Sequence, residues 1–273
     1  MAIIAINQQL GSRGDELGKM IARELGYRFV ARNDLVARAS EEYKVNPSQF
    51  LIVDERQPSF WERSRADTDR LYCFLRSVLL REFARDNVVY AGTAGVQLLP
   101  DSGCGLRVRT IGTVARRIER VAVEEKLSPA AAERRVREHD REVRARAQSL
   151  TGIDIEDPCH YHLMINTSQM ALEPIAMALA AAAREIEARA TVEGRRVIRD
   201  AAIAEIIRAG LLAHPKFGHA QIEVACRNGA VQINGPGLVP PWDEMAERLA
   251  RNVEGVTSVA IGAEQPSMAL RAE

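Results

Sequence analysis

The first 26 residues constrain the fold more than any other part of the chain. An apolar run at 3–6 predicts a short buried strand, and residues 15–25 carry apolar side chains spaced for one helix face. The tetrapeptide GSRG at 11–14 lies between them, and Gly26 is placed to end the helix. A strand, a glycine-containing loop and a helix predict a βαβ unit whose helix N-terminus can bind an anion.

Strands alternate with helices through the rest of the first 190 residues. Such alternation predicts parallel βαβ units in a layered α/β domain. The expected strands are 88–92, 106–111 and 162–165, and the expected helices are 69–85, 114–125, 129–148 and 172–190.

The pattern changes after about residue 192, where a second and smaller domain is expected. A helical pattern at 197–212 is followed by a strand pattern that meets Asn228-Gly229, a strong signal for a β-hairpin. A further helix at 241–252 and a strand at 256–261 complete a small α+β module. The predicted division is 1–190 and 194–263, with 264–273 as a tail.

Charge and cysteine content limit the classes of partner. The chain has 37 Lys+Arg and 37 Asp+Glu, so it is not suited to coating DNA, RNA or an anionic membrane. Its four cysteines form no CxxC pair, and it contains neither a signal-peptide pattern nor an apolar stretch of membrane-spanning length. We therefore expect a cytoplasmic protein with no nucleic-acid partner.

The basic residues are nearly all arginines. Only four are Lys, and residues 107–146 hold eleven Arg and one Lys against seven acids. Genomic base composition and solvated, ion-paired helices are one explanation. Phosphate binding by some guanidinium groups is the other, because their planar fork matches phosphate oxygens. The sequence leaves both open.

Several segments resemble one known family in the expected order. Residues 4–19 are similar to the start of the cytidylate kinase-like family, a branch of the P-loop nucleoside monophosphate kinases whose loop reads like QYGSGGREIG. The RIERV string at 117–121, HDR at 139–141 and YHLMINT at 161–167 resemble later family segments. The resemblance covers about residues 3–185 and implies a P-loop NTPase-type fold, a five-stranded parallel sheet with helices on both faces.

The resemblance also implies an activity, its cofactors and its site residues. It implies transfer of the ATP γ-phosphoryl group to CMP, dCMP or a similar monophosphate, with Mg²⁺. No residue is assigned as a metal ligand, because the segment CHYH at 159–162 lacks a second cluster of ligands. The implied ATP-binding residues are Gly11, Ser12, Arg13, Gly14, Asp15 and Glu16; the catalytic ones are Arg117, Arg120, Asp140 and Arg144; the acceptor-binding ones are Arg32, Asp34, Gly92 and Thr93.

The chain departs from the family pattern where that pattern places key residues. Arg13 replaces a loop glycine, Asp15 replaces a loop arginine, and Thr93 stands where the family has an arginine for the substrate phosphate. Arg32 is a candidate replacement cation, or simply part of a surface helix start capped by Asn33. Two functions therefore remain open: a working nucleotide kinase, or a degenerate kinase that binds nucleotide and acts through its C-terminal module.

The C-terminal module resembles a BON domain. The strings NGAVQING at 228–235 and VEGVTSV at 253–259 carry the resemblance. It implies a small binding or scaffolding unit, with a protein partner or a second copy of the chain as its target. Residues 191–273 hold nine Lys+Arg against ten Asp+Glu, so charge does not support membrane binding.

Overall fold

The computed structural model describes residues 2–54, 65–92 and 95–262. Within these ranges, no helix combines the length and the apolar character needed to cross a bilayer.

Five parallel strands form the sheet of the first domain, in the order β2-β3-β1-β4-β5. β1 is central because it is apolar on both faces, and Ile3 pairs with both Val88 and Gly105. The predicted parallel α/β sheet is confirmed. The strands are β1 (Ile3–Gln8), β2 (Arg28–Ala31), β3 (Val88–Ala91), β4 (Gly105–Ile111) and β5 (Leu163–Asn166).

Helices cover both faces of this sheet. Ile4 and Ile6 of β1 pack against α1 and α8, whereas Ile3 and Ala5 face the opposite core, to which α4 contributes. The alternation follows from the strand period of two. The helices are α1 (Gly14–Leu25), α2 (Arg32–Tyr43), α3 (Pro47–Asp54), α4 (Arg65–Ala84), α5 (Gly95–Leu98), α6 (Val114–Glu124), α7 (Pro129–Thr151) and α8 (Leu172–Arg189).

The C-terminal domain is a three-stranded sheet with two helices. Its elements are α9 (Val192–Ala213), β6 (Glu223–Arg227), β7 (Ala230–Asn234), α10 (Trp242–Arg251) and β8 (Ser258–Gly262). β7 pairs antiparallel with β6 and parallel with β8. Asn228 and Gly229 both have positive φ, 55° and 77°, and form the predicted hairpin turn. The Asp200 carboxylate of α9 accepts hydrogen bonds from their backbone N–H groups, at 2.7 and 3.1 Å.

The two domains share one hydrophobic core. α9 lies against α4, and Phe74 belongs to the same buried cluster as Ile207 of α9 and Val231 of β7. Arg76 of α4 pairs with the buried carboxylate of Glu205 of α9 at 3.1 Å. The C-terminal domain therefore covers an apolar face that the first domain leaves open.

Truncation after Thr191 should abolish cooperative folding of the first domain, because the apolar face of α4 loses its cover. Urea unfolding followed by far-UV circular dichroism measures this. A protein ending at Gly262 keeps α9 and serves as the control, with an unfolding midpoint close to that of the full chain. If the 1–191 fragment unfolds at the midpoint of the full chain, the shared core is not required for stability.

Candidate active site

The loop between β1 and α1 has a left-handed backbone at two positions. Gly11 has φ +75° and Arg13 has φ +61°, a conformation that glycine adopts more readily than arginine. A Cβ at Gly14 would lie 2.3 Å from Oε1 of Gln8, so only glycine fits there. The replacement of a family glycine by Arg13 has thus left a glycine-like backbone conformation in place.

Three consecutive carbonyl groups of this loop accept hydrogen bonds from side chains of α6 and of the segment after β5. Arg117 Nε donates to the Leu10 carbonyl at 2.7 Å, and Arg120 Nη1 donates to that of Gly11 at 3.0 Å. Thr167 Oγ1 donates to the Ser12 carbonyl at 2.8 Å. In a trans peptide the N–H points opposite to the C=O, so the Gly11 and Arg13 amides face the other way. This arrangement favours an anion beside the loop.

The charged side chains of the loop pair locally. Arg13 donates from Nε and Nη2 to Glu16 at 2.7 and 2.6 Å, which raises the pKa of Arg13 and lowers that of Glu16. Burial, and then the charge of Arg13, lower the pKa of Arg120. Arg13, Glu16 and Arg120 therefore form a charged cluster beside the loop.

The side chain of Gln8 makes two hydrogen bonds with Asp15 at the start of α1. Its Oε1 accepts from the Asp15 backbone N–H at 3.0 Å, and its Nε2 donates to Asp15 Oδ1 at 3.1 Å. Desolvation raises the pKa of Asp15, although the hydrogen bond from Gln8 opposes the shift. Gln8 thus satisfies one of the helix N-terminal amides that a phosphate would otherwise use.

Arg117 is 1% exposed, and its guanidinium is fully engaged by neighbours. It donates to both carboxylate oxygens of Asp140 on α7, at 2.8 and 2.6 Å, as well as to the Leu10 carbonyl. Burial works to raise the pKa of Asp140, but the nearby His139 side chain and the hydrogen bonds from Arg117 outweigh it and bring the pKa to about 2. This ion pair joins α6 and α7 to the loop.

Arg144 lies apart from the loop, on the outer side of α7. It forms an exposed ion pair with Glu156, which raises the pKa of Arg144. With Arg137, Asp140 and Arg141 it lines an open concavity of about 590 Å³. Of the predicted catalytic residues, the structure thus brings Arg117 and Arg120 to the loop, links Asp140 to it through Arg117, and leaves Arg144 at the surface.

A second cavity, of about 50 Å³, lies between α2, α4, α5 and α7. We call it the acceptor pocket because its lining includes Arg32, one of the residues predicted from the sequence to bind the acceptor. Its wall is mainly aliphatic. Its polar lining consists of Arg32, Tyr72, Tyr90, Gln97, Arg146 and Thr151.

The predicted acceptor-binding residues have different surroundings. Arg32 begins α2 and lines the acceptor pocket. Asp34 Oδ2 accepts from the Ala31 backbone N–H at 2.9 Å, so Asp34, and not Asn33, contributes the side-chain hydrogen bond at the helix start. Gly92 packs against the Tyr90 hydroxyl, which lies 2.3 Å from where a Cβ would be. Thr93 lies outside the described residues.

Sequence analysis missed Arg109, a second buried arginine. It is 3% exposed, and its Nη1 donates to Asn7 Oδ1 at 2.5 Å and to the Tyr161 hydroxyl at 3.2 Å. The available signal was an arginine within the apolar strand β4.

The CHYH segment begins in a 3₁₀ helix, Pro158–His160, and not in a strand. Across the described ranges, no group of three or more His, Cys, Asp or Glu side chains is placed to hold a metal ion.

Arg13→Gly should stabilise the protein by about 0.5–1 kcal/mol, because glycine adopts φ +61° without strain and the exposed pair with Glu16 contributes little. Arg13→Val should destabilise it by at least about 1 kcal/mol. Glu16→Gln removes the ion pair alone and is the control. Equal free energies of unfolding for the Gly and Val variants in urea would contradict a strained loop.

Asp140→Asn should lower the free energy of unfolding by about 2–4 kcal/mol at pH 7, because it leaves buried Arg117 without a counter-ion. The folded-state pKa of about 2 lies below the unfolded value of about 3.9, so this stabilisation is present above pH 4 and is lost as pH falls towards 2. The difference between the two proteins should therefore shrink over that window. Glu133→Gln, in an exposed pair with Arg137 on α7, is the control. A difference that stays constant from pH 5 to 2 would rule out the pair as its source.

The first domain has the fold of a solved protein of unassigned function. The crystal structure of an uncharacterized protein from Eubacterium ventriosum ATCC 27560 aligns with a TM-score of 0.52 at 14% identity, covering 67% of this chain and 99% of that one. A shikimate kinase from Bacteroides thetaiotaomicron aligns with a TM-score of 0.43 at 16% identity, covering 67% and 98%. No curated protein matches the chain.

Family models divide the chain as the sequence motifs do. The cytidylate kinase-like family matches residues 3–169, and the BON domain matches residues 199–262. The first match spans more than half of the sequence, and the two follow in the predicted order. The chain therefore belongs to the cytidylate kinase-like family and carries a C-terminal BON domain.

Proposed function

We propose that the protein transfers the γ-phosphoryl group of ATP to the phosphate of a nucleoside monophosphate, with CMP or dCMP as acceptor. An acceptor phosphate oxygen bonds to the γ-phosphorus, the bond from that phosphorus to the β–γ bridging oxygen breaks, and ADP leaves. The observation that carries the proposal is the tethering of the Leu10 and Ser12 carbonyls, which turns the Gly11 and Arg13 amides away from these contacts at the start of α1.

The loop and its neighbours supply the positive charge for the ATP phosphates. Arg120 donates to the Gly11 carbonyl, and Arg13, the residue immediately before α1, lies near Arg120. Phosphoryl transfer depends on such positioning and charge neutralisation more than on a nucleophilic side chain. Arg117 acts differently, since its pairing with Asp140 and Leu10 makes it a positioning residue for the loop.

The donors present fit Mg²⁺ held mainly by the ATP phosphates. Ser12 is fully buried, and its hydroxyl is engaged with the Gln9 carbonyl and Thr110 Oγ1 at 2.7 and 2.9 Å. Asp15 has a second carboxylate oxygen beyond the one bonded to Gln8, and one carboxylate is an ordinary protein contribution to such a site. Bound Mg²⁺ would neutralise charge on the transferring phosphoryl group.

The acceptor pocket is the proposed place for the monophosphate. It opens on the sheet face that carries Tyr90, and Arg32 and Arg146 give it positive charge. Tyr72 and Tyr90 offer aromatic surface for a base. The choice of CMP or dCMP comes from the family resemblance.

A degenerate kinase that binds nucleotide without turnover is the second candidate. The Asp15 backbone N–H donates to Gln8, and the Arg13 guanidinium donates to Glu16. Two groups that could bind a phosphate are therefore already hydrogen-bonded within the protein. In this case nucleotide binding would act through the contact of α4 with α9 on the BON domain.

The test is ADP release from the full chain with ATP, Mg²⁺ and each nucleoside monophosphate. We expect turnover with CMP or dCMP, and Arg120→Met should lower kcat by at least about 100-fold because it removes a cation at the loop. Arg116→Met is the matched control, since Arg116 is exposed on the same helix and pairs with Glu119.

Calorimetry of ATP binding separates the two candidates. ATP binding without turnover of any monophosphate supports the degenerate kinase and overturns the enzyme. Absence of ATP binding overturns both. Turnover that Arg120→Met leaves unchanged contradicts the assignment of Arg120.

A further inference from the structure

Arg109 is a buried cation whose contacts are neutral. It lies on β4 in register with Asn7 of β1, and its guanidinium contacts Asn7 Oδ1 and the Tyr161 hydroxyl. Its Cζ also stacks over the Tyr161 ring, 5.6 Å from the centroid. Tyr161 is itself fixed, because its hydroxyl donates to the Ile155 carbonyl at 2.7 Å. These contacts orient the guanidinium, and none of them is with a negatively charged group.

The other buried arginine shows the contrast. Arg117 is neutralised by the two oxygens of Asp140. Among the described residues, no carboxylate lies within ion-pair distance of Arg109. Burying a guanidinium without a counter-ion is costly, so an anion delivered by a ligand would gain an unusually strong interaction.

The position of Arg109 indicates which anion that is. It lines a small cavity together with Gln8 and Gln9, which lead into the phosphate loop, and Val143 of α7. Two carboxylates, Asp140 and Glu156, line the same cavity, but each pairs with another arginine, Arg117 and Arg144 respectively. Val143 also lines the acceptor pocket. Arg109 therefore lies between the loop that would hold ATP and the pocket that would hold the acceptor, on the sheet face that carries Tyr90.

We propose that Arg109 binds the phosphate group of the acceptor, a phosphate monoester, and orients it towards the phosphate loop. This role of Arg109 rests on the proposed function and adds one residue to its acceptor site. It also accounts for Thr93, because a cation on β4 takes over the charge that the family pattern places after β3. Asn7 and Tyr161 hold the guanidinium so that its remaining N–H donors are left for the phosphate.

The cavity beside Arg109 must widen to admit a phosphate, since its volume is about 10 Å³. The wall with the least support from the two main cores is the α6–α7 pair, whose own core contains Val121, Ala132 and Val136, although Leu150 near the end of α7 packs against the first main core. On the surface, the ion pair of Arg144 with Glu156 closes α7 over this cavity. Acceptor binding is therefore expected to displace α7.

The experiment compares Arg109→Met, Arg109→Lys and Arg107→Met in the full chain. We expect Arg109→Met to raise the KM for CMP by about 10–100-fold, the range for losing a charged hydrogen bond, with the KM for ATP unchanged. Arg109→Lys should recover part of this loss. Arg107 lies on the same strand, pairs with Asp101 at 3.6 Å, and serves as the control.

The Tm of the ligand-free protein distinguishes a phosphate-binding role of Arg109 from a purely structural one. Removing a buried charge that has no ion pair among the described residues should leave the Tm of Arg109→Met unchanged or higher, whereas a structural arginine would lower it. A lower Tm with an unchanged KM for CMP overturns the proposal.

Failure of the proposed function remains distinguishable. If no monophosphate is turned over, the rise in Tm caused by CMP alone is compared between the wild type and Arg109→Met. If CMP raises the Tm of the wild type but not that of Arg109→Met, Arg109 binds the monophosphate even though the protein has no kinase activity. Equal rises in both proteins, or no rise in the wild type, overturn it.

Discussion

The guanidinium of Arg117 is the point at which the loop between β1 and α1, helix α6 and helix α7 meet. It donates to the Leu10 carbonyl and to both oxygens of Asp140, and it is almost completely excluded from water. Each of its three side-chain nitrogens donates to a neighbour, so separating α7 from the loop would require breaking a charged hydrogen bond in a medium of low dielectric constant. The loop conformation therefore depends on two helices distant in sequence, and Arg120 and Thr167 extend the same support to the next two carbonyls.

The sheet meets a second constraint at its other end, where the BON domain completes the core. α9 contributes Ile203 and Ile207 to the cluster that contains Phe74 of α4. The same helix α4 contributes Tyr72 to the acceptor pocket. The BON domain thus supports the helix that forms one wall of the proposed site. A small module attached in this way is part of the structural framework of the first domain.

The sequence predicted the elements that local patterns determine. β1 is apolar on both faces, and Asn228-Gly229 takes two positive φ values, so both followed from residue type. A helix start at Arg32 was one of two interpretations, but the extents of the helices between residues 32 and 54 were not predicted, because the weak amphipathic pattern of α2 depends on packing against α4. The loop was located correctly, but Arg13 in a left-handed conformation was not foreseeable from its side chain. Neither was the burial of Arg117, since a pattern of charges does not reveal which long side chain turns inward.

The contribution of each arginine of this arginine-rich chain depends on whether its side chain is exposed or buried. Most of the pairs on α6 and α7, such as Arg116 with Glu119, are exposed and contribute little. Two arginines differ because they are buried, and they differ from each other in their partners. Arg117 has a carboxylate and therefore fixes structure, whereas Arg109 has an amide and a phenol and retains its charge. Burying a guanidinium costs folding free energy, a cost that Asp140 offsets at Arg117 and that no ion pair among the described residues offsets at Arg109.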